Sequence, residues 1–266
     1  GTDLELHFSD FAFDEPKCDE EYAKFKDLTY EAAFRVTMRL VNGKTGDVKE
    51  QEVYFGDFPV MTKRGSFIIN GIERVVVSQL IRSSGVYFTA HGWRGKKLFG
   101  AKVIPYQGAW LEFETDPDGF IGVKIDRHRK VPATDLLRVF GMESADDMVK
   151  AFGEGIKATL KKDLAKTAGD AYIEIYRRIR PGELATVENA KGLIDGMFQR
   201  NDRYSLSRVG RFKMNQRLGK KESDDSKILT KEDLVLIMKE IIRLNAAQDA
   251  VADDIAHLGN RRLRPV

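Results

Sequence analysis

The side chains in this 266-residue chain with the most definite chemistry are its clustered arginines and lysines. Arg127, His128, Arg129 and Lys130 are contiguous. Arg208, Arg211 and Lys213 surround Val209, Gly210 and Phe212, and Arg261, Arg262 and Arg264 crowd the C-terminal end. Arg74 and Arg82 flank a β-branched run. Arginine beside aromatic residues and glycine is a chemistry that grips phosphate and stacks bases. Solvated protein faces carry the same residue types, and composition alone leaves both readings open. Lys plus Arg total 44 against 41 Asp plus Glu, for a net charge of +3. The chain is therefore no simple polybasic binder, and any nucleic-acid contact must come from local clusters.

Catalytic patterns are missing. His7, His91, His128 and His257 show no metal-ligand spacing, and no glycine-rich phosphate loop or nucleophile elbow occurs. Asp253 and Asp254 are the one adjacent Asp pair near a basic cluster. Cys18 is the single cysteine, so neither a disulfide nor a thiolate metal site can form within the chain. The expectation is that this chain holds no complete active site, no metal and no cofactor. No basic segment followed by an apolar one opens the sequence, and no apolar run reaches the roughly 20 residues that span a bilayer. A soluble, cytoplasmic protein with no membrane partner is expected.

The elements that must carry these side chains follow from hydrophobic period. Phe34–Leu40 alternates, Asn42–Gly46 has turn chemistry, and Gln51–Phe55 alternates again, which predicts a hairpin over 34–55. Phe67–Ile69 and Arg74–Ser78 predict two strands joined at Asn70-Gly71. Leu98–Pro105, Trp110–Thr115 and Gly122–Asp126 predict further strands, with a turn at Pro117–Gly119. From Pro132 the spacing turns helical. Leu136, Leu137 and Phe140 share a face that ends at Gly141, and helices are predicted over 145–152, 156–165, 170–179, 187–199 and 204–217. Thr230 to Asp233 reads as an N-cap, with Leu234, Ile237, Ile241 and Leu244 as the stripe behind it. Lys220–Lys227 reads as a polar loop. The fold class is α+β, strands first and helices after. The arginine-rich ending reads as a chain cut in mid-structure.

Residues 56–88, GDFPVMTKRGSFIINGIERVVVSQLIRSSGVYF, resemble a signature stretch of the bacterial DNA-directed RNA polymerase β subunit. IPYQGAWLEF at 104–113, IDRHRKVPAT at 125–134, YRRIRPGE at 176–183, RYSLSRVGR at 203–211 and DDIAHLGNRRLR at 253–264 follow in the family's order. The resemblance covers nearly the whole chain from Thr29. It implies three segments: the first part of a protrusion domain at 1–82, an inserted lobe domain at 83–252, and a return into the protrusion at 253–266.

The resemblance also implies roles. Lobe and protrusion would form one wall of the DNA cleft. Arg82, Ile255, Arg261 and Arg264 would line a pocket for the non-template strand, and Trp110 would stack on a base near the downstream edge of the bubble. Packing between strands is the alternative for Trp110. Arg127, Arg129 and Lys130 would meet phosphates of downstream DNA. Val48, Lys49 and Glu50 would form an edge for transcription-repair coupling factor or CarD-like regulators. Val77 would sit beside a rifamycin pocket whose main segment is elsewhere. The implied partners are DNA, the β′, α and ω subunits and a sigma factor. The nucleotidyltransferase chemistry, with its Mg2+, would belong to another subunit. An alternative is a docking module that binds no DNA when isolated.

Two positions depart from the family pattern. Ala256 stands where the pocket has an Asp, and a methyl cannot accept a hydrogen bond from a guanine edge. Ser83-Ser84-Gly85 replaces Ser-Pro-Gly, and loss of the proline would loosen the hinge between lobe and protrusion.

Overall fold

A computed structural model describes residues 3–220, 226–247 and 249–264. Most of the polar loop expected at 220–227 lies outside the described residues. The chain divides into two compact units, Gly1–Gln79 and Leu80–Val266.

The first unit holds β1 (Leu4–Phe13), α1 (Glu20–Phe25), β2 (Glu31–Asn42), β3 (Val48–Pro59), β4 (Phe67–Ile69) and β5 (Ile72–Arg74). The expected hairpin at 34–55 is present and longer, as the β2–β3 pair. β1 joins it to make an antiparallel sheet in the order β1-β2-β3. β1 alternates Leu4, Leu6 and Phe8, and a bulge before Phe11 keeps Phe11 and Phe13 in step. Phe34 gathers Phe11, Phe13, Phe55 and Phe58 around it, with ring centroids 4.8–6.1 Å away. Lys17 ties the sheet to its own loop through Glu31 at 3.1 Å and Asp57 at 2.5 Å.

The expected strand at Arg74–Ser78 is corrected. β5 ends at Arg74, because its partner β4 is only three residues long, and Val75–Gln79 is irregular and exposed. Three consecutive valines favour a strand only where a neighbour supplies the ladder.

The second unit begins with β6 (Leu80–Arg82), then β7 (Gly85–Trp93), β8 (Lys96–Ile104), β9 (Leu111–Thr115), β10 (Ile121–Ile125) and β11 (Val131–Pro132). Helices follow: α2 (Ala133–Val139), α3 (Ala145–Phe152), α4 (Lys157–Lys162), α5 (Ala168–Ile179), α6 (Val187–Phe198), α7 (Ser207–Leu218) and α8 (Lys231–Ala246). β12 (Arg261–Leu263) closes the chain. The fold class is α+β, as the pattern requires. Strands β7 to β11 form one antiparallel sheet in sequential order, and β12 pairs with β6 in a separate two-stranded ribbon.

One apolar core fills this unit, from Phe88, Val103 and Leu111 on the sheet to Ile175, Ile194, Ile237 and Ile241 on the helices. The α8 stripe is buried at Leu234, Ile237, Ile241 and Leu244. Its start is the N-cap expected at Thr230, here closed into a capping box: the Thr230 hydroxyl accepts from the Asp233 N–H while the Asp233 carboxylate accepts from the Thr230 N–H at 2.9 Å. Asp233 also receives the guanidinium of Arg211 on α7, with both oxygens at 2.9 Å and both side chains fully buried. Arg211 donates further to the carbonyls of Ser226 and Ile228. A second buried set joins α2 to the loop after α4: Arg138 with Asp163, and Asp135 beside them.

Candidate nucleic-acid interface

The site rests on a two-stranded ribbon. β6 and β12 are antiparallel, with Leu80 opposite Leu263, Ile81 opposite Arg262 and Arg82 opposite Arg261. Directly opposed residues of an antiparallel pair share a face. One face therefore carries Arg82 and Arg261 side by side, next to Leu80 and Leu263, and all four are exposed. Like charges directly opposite each other destabilise a strand pair. Neither guanidinium has a carboxylate partner among the described residues. Arg261 donates its Nε–H to the Ala256 carbonyl at 3.3 Å, which sets it against the turn holding Ile255. Arg264 follows the ribbon and is exposed.

The segment before β12 is fixed by local hydrogen bonds. Asp253 extends the edge of β7: its N–H donates to the Phe88 carbonyl at 2.9 Å and its carboxylate accepts from the Phe88 N–H at 2.8 Å. Arg217 from α7 donates to the same carboxylate at 3.0 Å and lies 4.4 Å from the Phe88 ring centroid. His257 caps the following turn through the Gly259 N–H, and the Asn260 carbonyl accepts from the Ser83 N–H at 2.9 Å. The Lys213 ammonium donates to the Gly259 carbonyl, and burial holds its pKa below the ordinary lysine range. Between these groups lies an open cavity of about 430 Å³, lined by Tyr87, Lys213, Arg217, Asp254 and Asn260. Ser84 is buried, and its hydroxyl lies 3.4 Å from that of Ser207.

Trp110 lies one residue before β9 and is half-buried. Its carbonyl accepts from the Asp126 N–H at 2.9 Å, which brings it to the turn that carries Arg127. That turn closes by a bond from the His128 N–H to the Ile125 carbonyl. Asp126 and Arg127 both have positive φ, 48° and 68°, the geometry of a tight two-residue hairpin turn. Arg127 and Arg129 are exposed. Lys130 faces elsewhere, toward Asp116 at 2.6 Å and Glu114 at 3.8 Å, so carboxylates of its own sheet neutralise its charge.

The 105–110 loop links the two groups. Arg262 on β12 stacks 4.6 Å from the ring centroid of Tyr106, an exposed residue in that loop. Tyr106 and Trp110 are four residues apart, so at most about 14 Å separates their Cα atoms. Gly108 seats the loop at φ 116°, where a Cβ would meet Tyr204 at 2.8 Å and the Arg203 carbonyl at 2.9 Å. Sequence reading missed the Tyr106–Arg262 stack. Its only local signal was an aromatic next to Gly108 in a loop.

In the first unit, Val48, Lys49 and Glu50 open β3, an exposed edge of its sheet. Val77 is 73% exposed in the irregular segment after β5. No grouping of His, Cys, Asp and Glu among the described residues is arranged to hold a metal ion. Among the described residues no helix is long and apolar enough to cross a membrane.

The family model for RNA polymerase Rpb2, domain 2, matches residues 82–264, from the first arginine of the ribbon to the residue after its last strand. That match takes in more than half of the chain, and the chain therefore belongs to the RNA polymerase Rpb2, domain 2, family.

Proposed function

We propose that this chain forms part of the DNA-facing wall of a bacterial RNA polymerase β subunit, where it holds the single-stranded non-template strand. The observation that carries the reading is the Arg82–Arg261 pair. Two exposed guanidiniums are held opposite each other with no carboxylate partner among the described residues, an arrangement that a phosphate between them would stabilise. Ile255 and the Leu80–Leu263 pair flank them with apolar surface, and Arg264 extends the charge. Trp110 and the exposed Arg127 and Arg129 form a second grip within reach of the first, suited to a stacked base and its phosphate. Lys130, already neutralised by Asp116, adds little. Ala256 offers no side-chain acceptor, so the grip is on backbone more than on guanine. The other polymerase subunits, β′, α and ω, with sigma factor, are the partners this role requires. Polymerisation and its Mg2+ stay outside this chain.

The test is fluorescence of the Trp93→Phe variant, in which Trp110 is the sole tryptophan, titrated with single-stranded DNA. The reading expects quenching that weakens with salt and with Arg82→Ala. A flat signal at low salt removes the strand-holding role.

A second reading has its own observation. β3 presents a free, exposed edge at Val48–Glu50, a template on which a regulator can add a strand. Transcription-repair coupling factor or a CarD-like regulator would dock there, and Lys49→Pro would block capture while leaving single-strand binding intact.

A further inference from the structure

The β7–β8 hairpin outruns its sheet. β8 pairs with β9 only over Ala101–Val103. Where β9 diverges, the Asn245 side chain takes over: its carbonyl accepts from the Phe99 N–H at 2.9 Å and its amide donates to the Phe99 carbonyl at 3.0 Å. Beyond that point His91–Leu98, Gly92–Lys97 and Trp93–Lys96 pair only with each other. This free ribbon projects roughly 10 Å.

Its composition is one-sided. No Asp or Glu occurs between Glu73 and Glu112, while Arg94, Lys96 and Lys97 crowd the tip. None of these three has an ion-pair partner among the described residues. His91, Trp93 and Lys96 share one face and Lys97 takes the other. The Arg94 guanidinium lies 4.8 Å from the Trp93 ring centroid, and Trp93 is 42% exposed. The tip itself is Arg94 at φ 45° followed by Gly95 at φ 80°. A two-residue turn of that kind ordinarily takes Asn first. An arginine there occupies the left-handed region with no local hydrogen bond to favour it, so its charge is the feature that the position gains.

We propose that this basic, tryptophan-bearing ribbon is a second nucleic-acid contact, one that inserts against the backbone of duplex DNA. A two-stranded β-ribbon is a shape the major groove admits. Cations on both faces and at the tip suit a groove walled by phosphate on either side. An acidic protein segment is the poorer fit, because the ribbon has no concave apolar patch to seat a partner's side chain. The ribbon shares no residue with the Arg82–Arg261 site and does not depend on it.

Tryptophan makes the proposal directly readable. Trp110→Phe leaves Trp93 as the sole tryptophan of the full chain, excited selectively at about 295 nm or above. It is titrated with a mixed-sequence DNA duplex, and separately with poly-glutamate, across a sodium chloride series. Arg94→Asn and the double variant Lys96→Gln/Lys97→Gln are measured beside it. Arg94→Asn installs the Asn-Gly pair that such turns prefer, so it removes the charge while keeping the hairpin. The duplex is expected to change Trp93 emission. The slope of log K on log salt should fall by about 0.9 in Arg94→Asn and about 1.8 in the double variant. No duplex response at low salt, an unchanged slope in both variants, or a stronger response to poly-glutamate overturns the proposal. The Trp93 signal with duplex and the Trp110 signal with single strands register the two sites separately.

Discussion

Removing the Asp233 carboxylate should damage the second unit more than any surface change. In Asp233→Ala, Arg211 stays buried with its charge uncompensated. Both side chains are fully buried, and the carboxylate receives two guanidinium contacts at 2.9 Å. Breaking a buried pair by removing one partner costs about 3–5 kcal/mol. The same carboxylate closes the capping box of α8 through the Thr230 N–H at 2.9 Å, and one such hydrogen bond adds about 1 kcal/mol. The two effects overlap, so about 4 kcal/mol is the working figure. At 2–4 °C per kcal/mol for a unit of this size, Tm should fall by roughly 8–16 °C. Thermal unfolding followed by far-ultraviolet circular dichroism measures the Tm, and urea denaturation gives the free-energy loss. The double variant Arg211→Met/Asp233→Leu should recover part of the loss, because apolar replacement of the Arg211–Asp233 pair removes its desolvation penalty together with the attraction, while Lys220, 3.1 Å from the same carboxylate, keeps Glu232 at 3.3 Å. A loss below about 1 kcal/mol in the single variant, or a double variant no better than the single, would refute the argument.

Asp135 predicts a pH dependence. Burial first, and then the negative charge of Asp163, push its carboxyl up to about 8, with Glu174 adding to the rise and Arg138 opposing it. In the folded state it stays protonated while the unfolded chain ionises. Its contribution is therefore full below the ordinary carboxylate range and is lost as pH climbs toward 8. Asp135→Asn copies the protonated form, so its Tm relative to the parent should rise steadily from pH 4 to pH 8; a constant difference would contradict the assignment. Gly210→Ala probes the contact of α7 with the start of β7. A Cβ there would lie 2.5 Å from Ser84 Oγ and 2.7 Å from Ser84 Cβ. Helix propensity returns about 1 kcal/mol against about 1–3 for overpacking, for a net loss of about 1 kcal/mol. Adding Ser84→Gly should reverse it, and a loss that persists would place the strain elsewhere.

Local chemistry was legible in the sequence where the side chains involved lie within one turn or one period. Thr230 and Asp233 announce their capping box three residues apart, and the stripe behind them reads directly as a buried face. The α+β order was legible for the same reason. Val75–Val77 misled because β-branched propensity says nothing about whether a partner strand exists. β1 went unread because the bulge between Phe8 and Phe11 breaks its period of two. The pairing of Arg82 with Arg261 joins opposite ends of the second unit, and no periodicity reaches that far; resemblance alone put those residues in one pocket. The Trp93–Arg94 tip was missed, although its cations lie in a stretch without Asp or Glu, because whole-chain charge balance conceals it.

The most direct test of the account is the salt dependence of single-stranded DNA binding by the parent chain and by Arg82→Gln/Arg261→Gln. The account predicts at least a tenfold weaker complex at low salt, and a slope of log K on log salt reduced by about 0.7–1.4, the loss of one to two phosphate contacts. Parent affinity and parent slope in the double variant would mean that the paired arginines hold no phosphate, and the strand-holding role would fall with them.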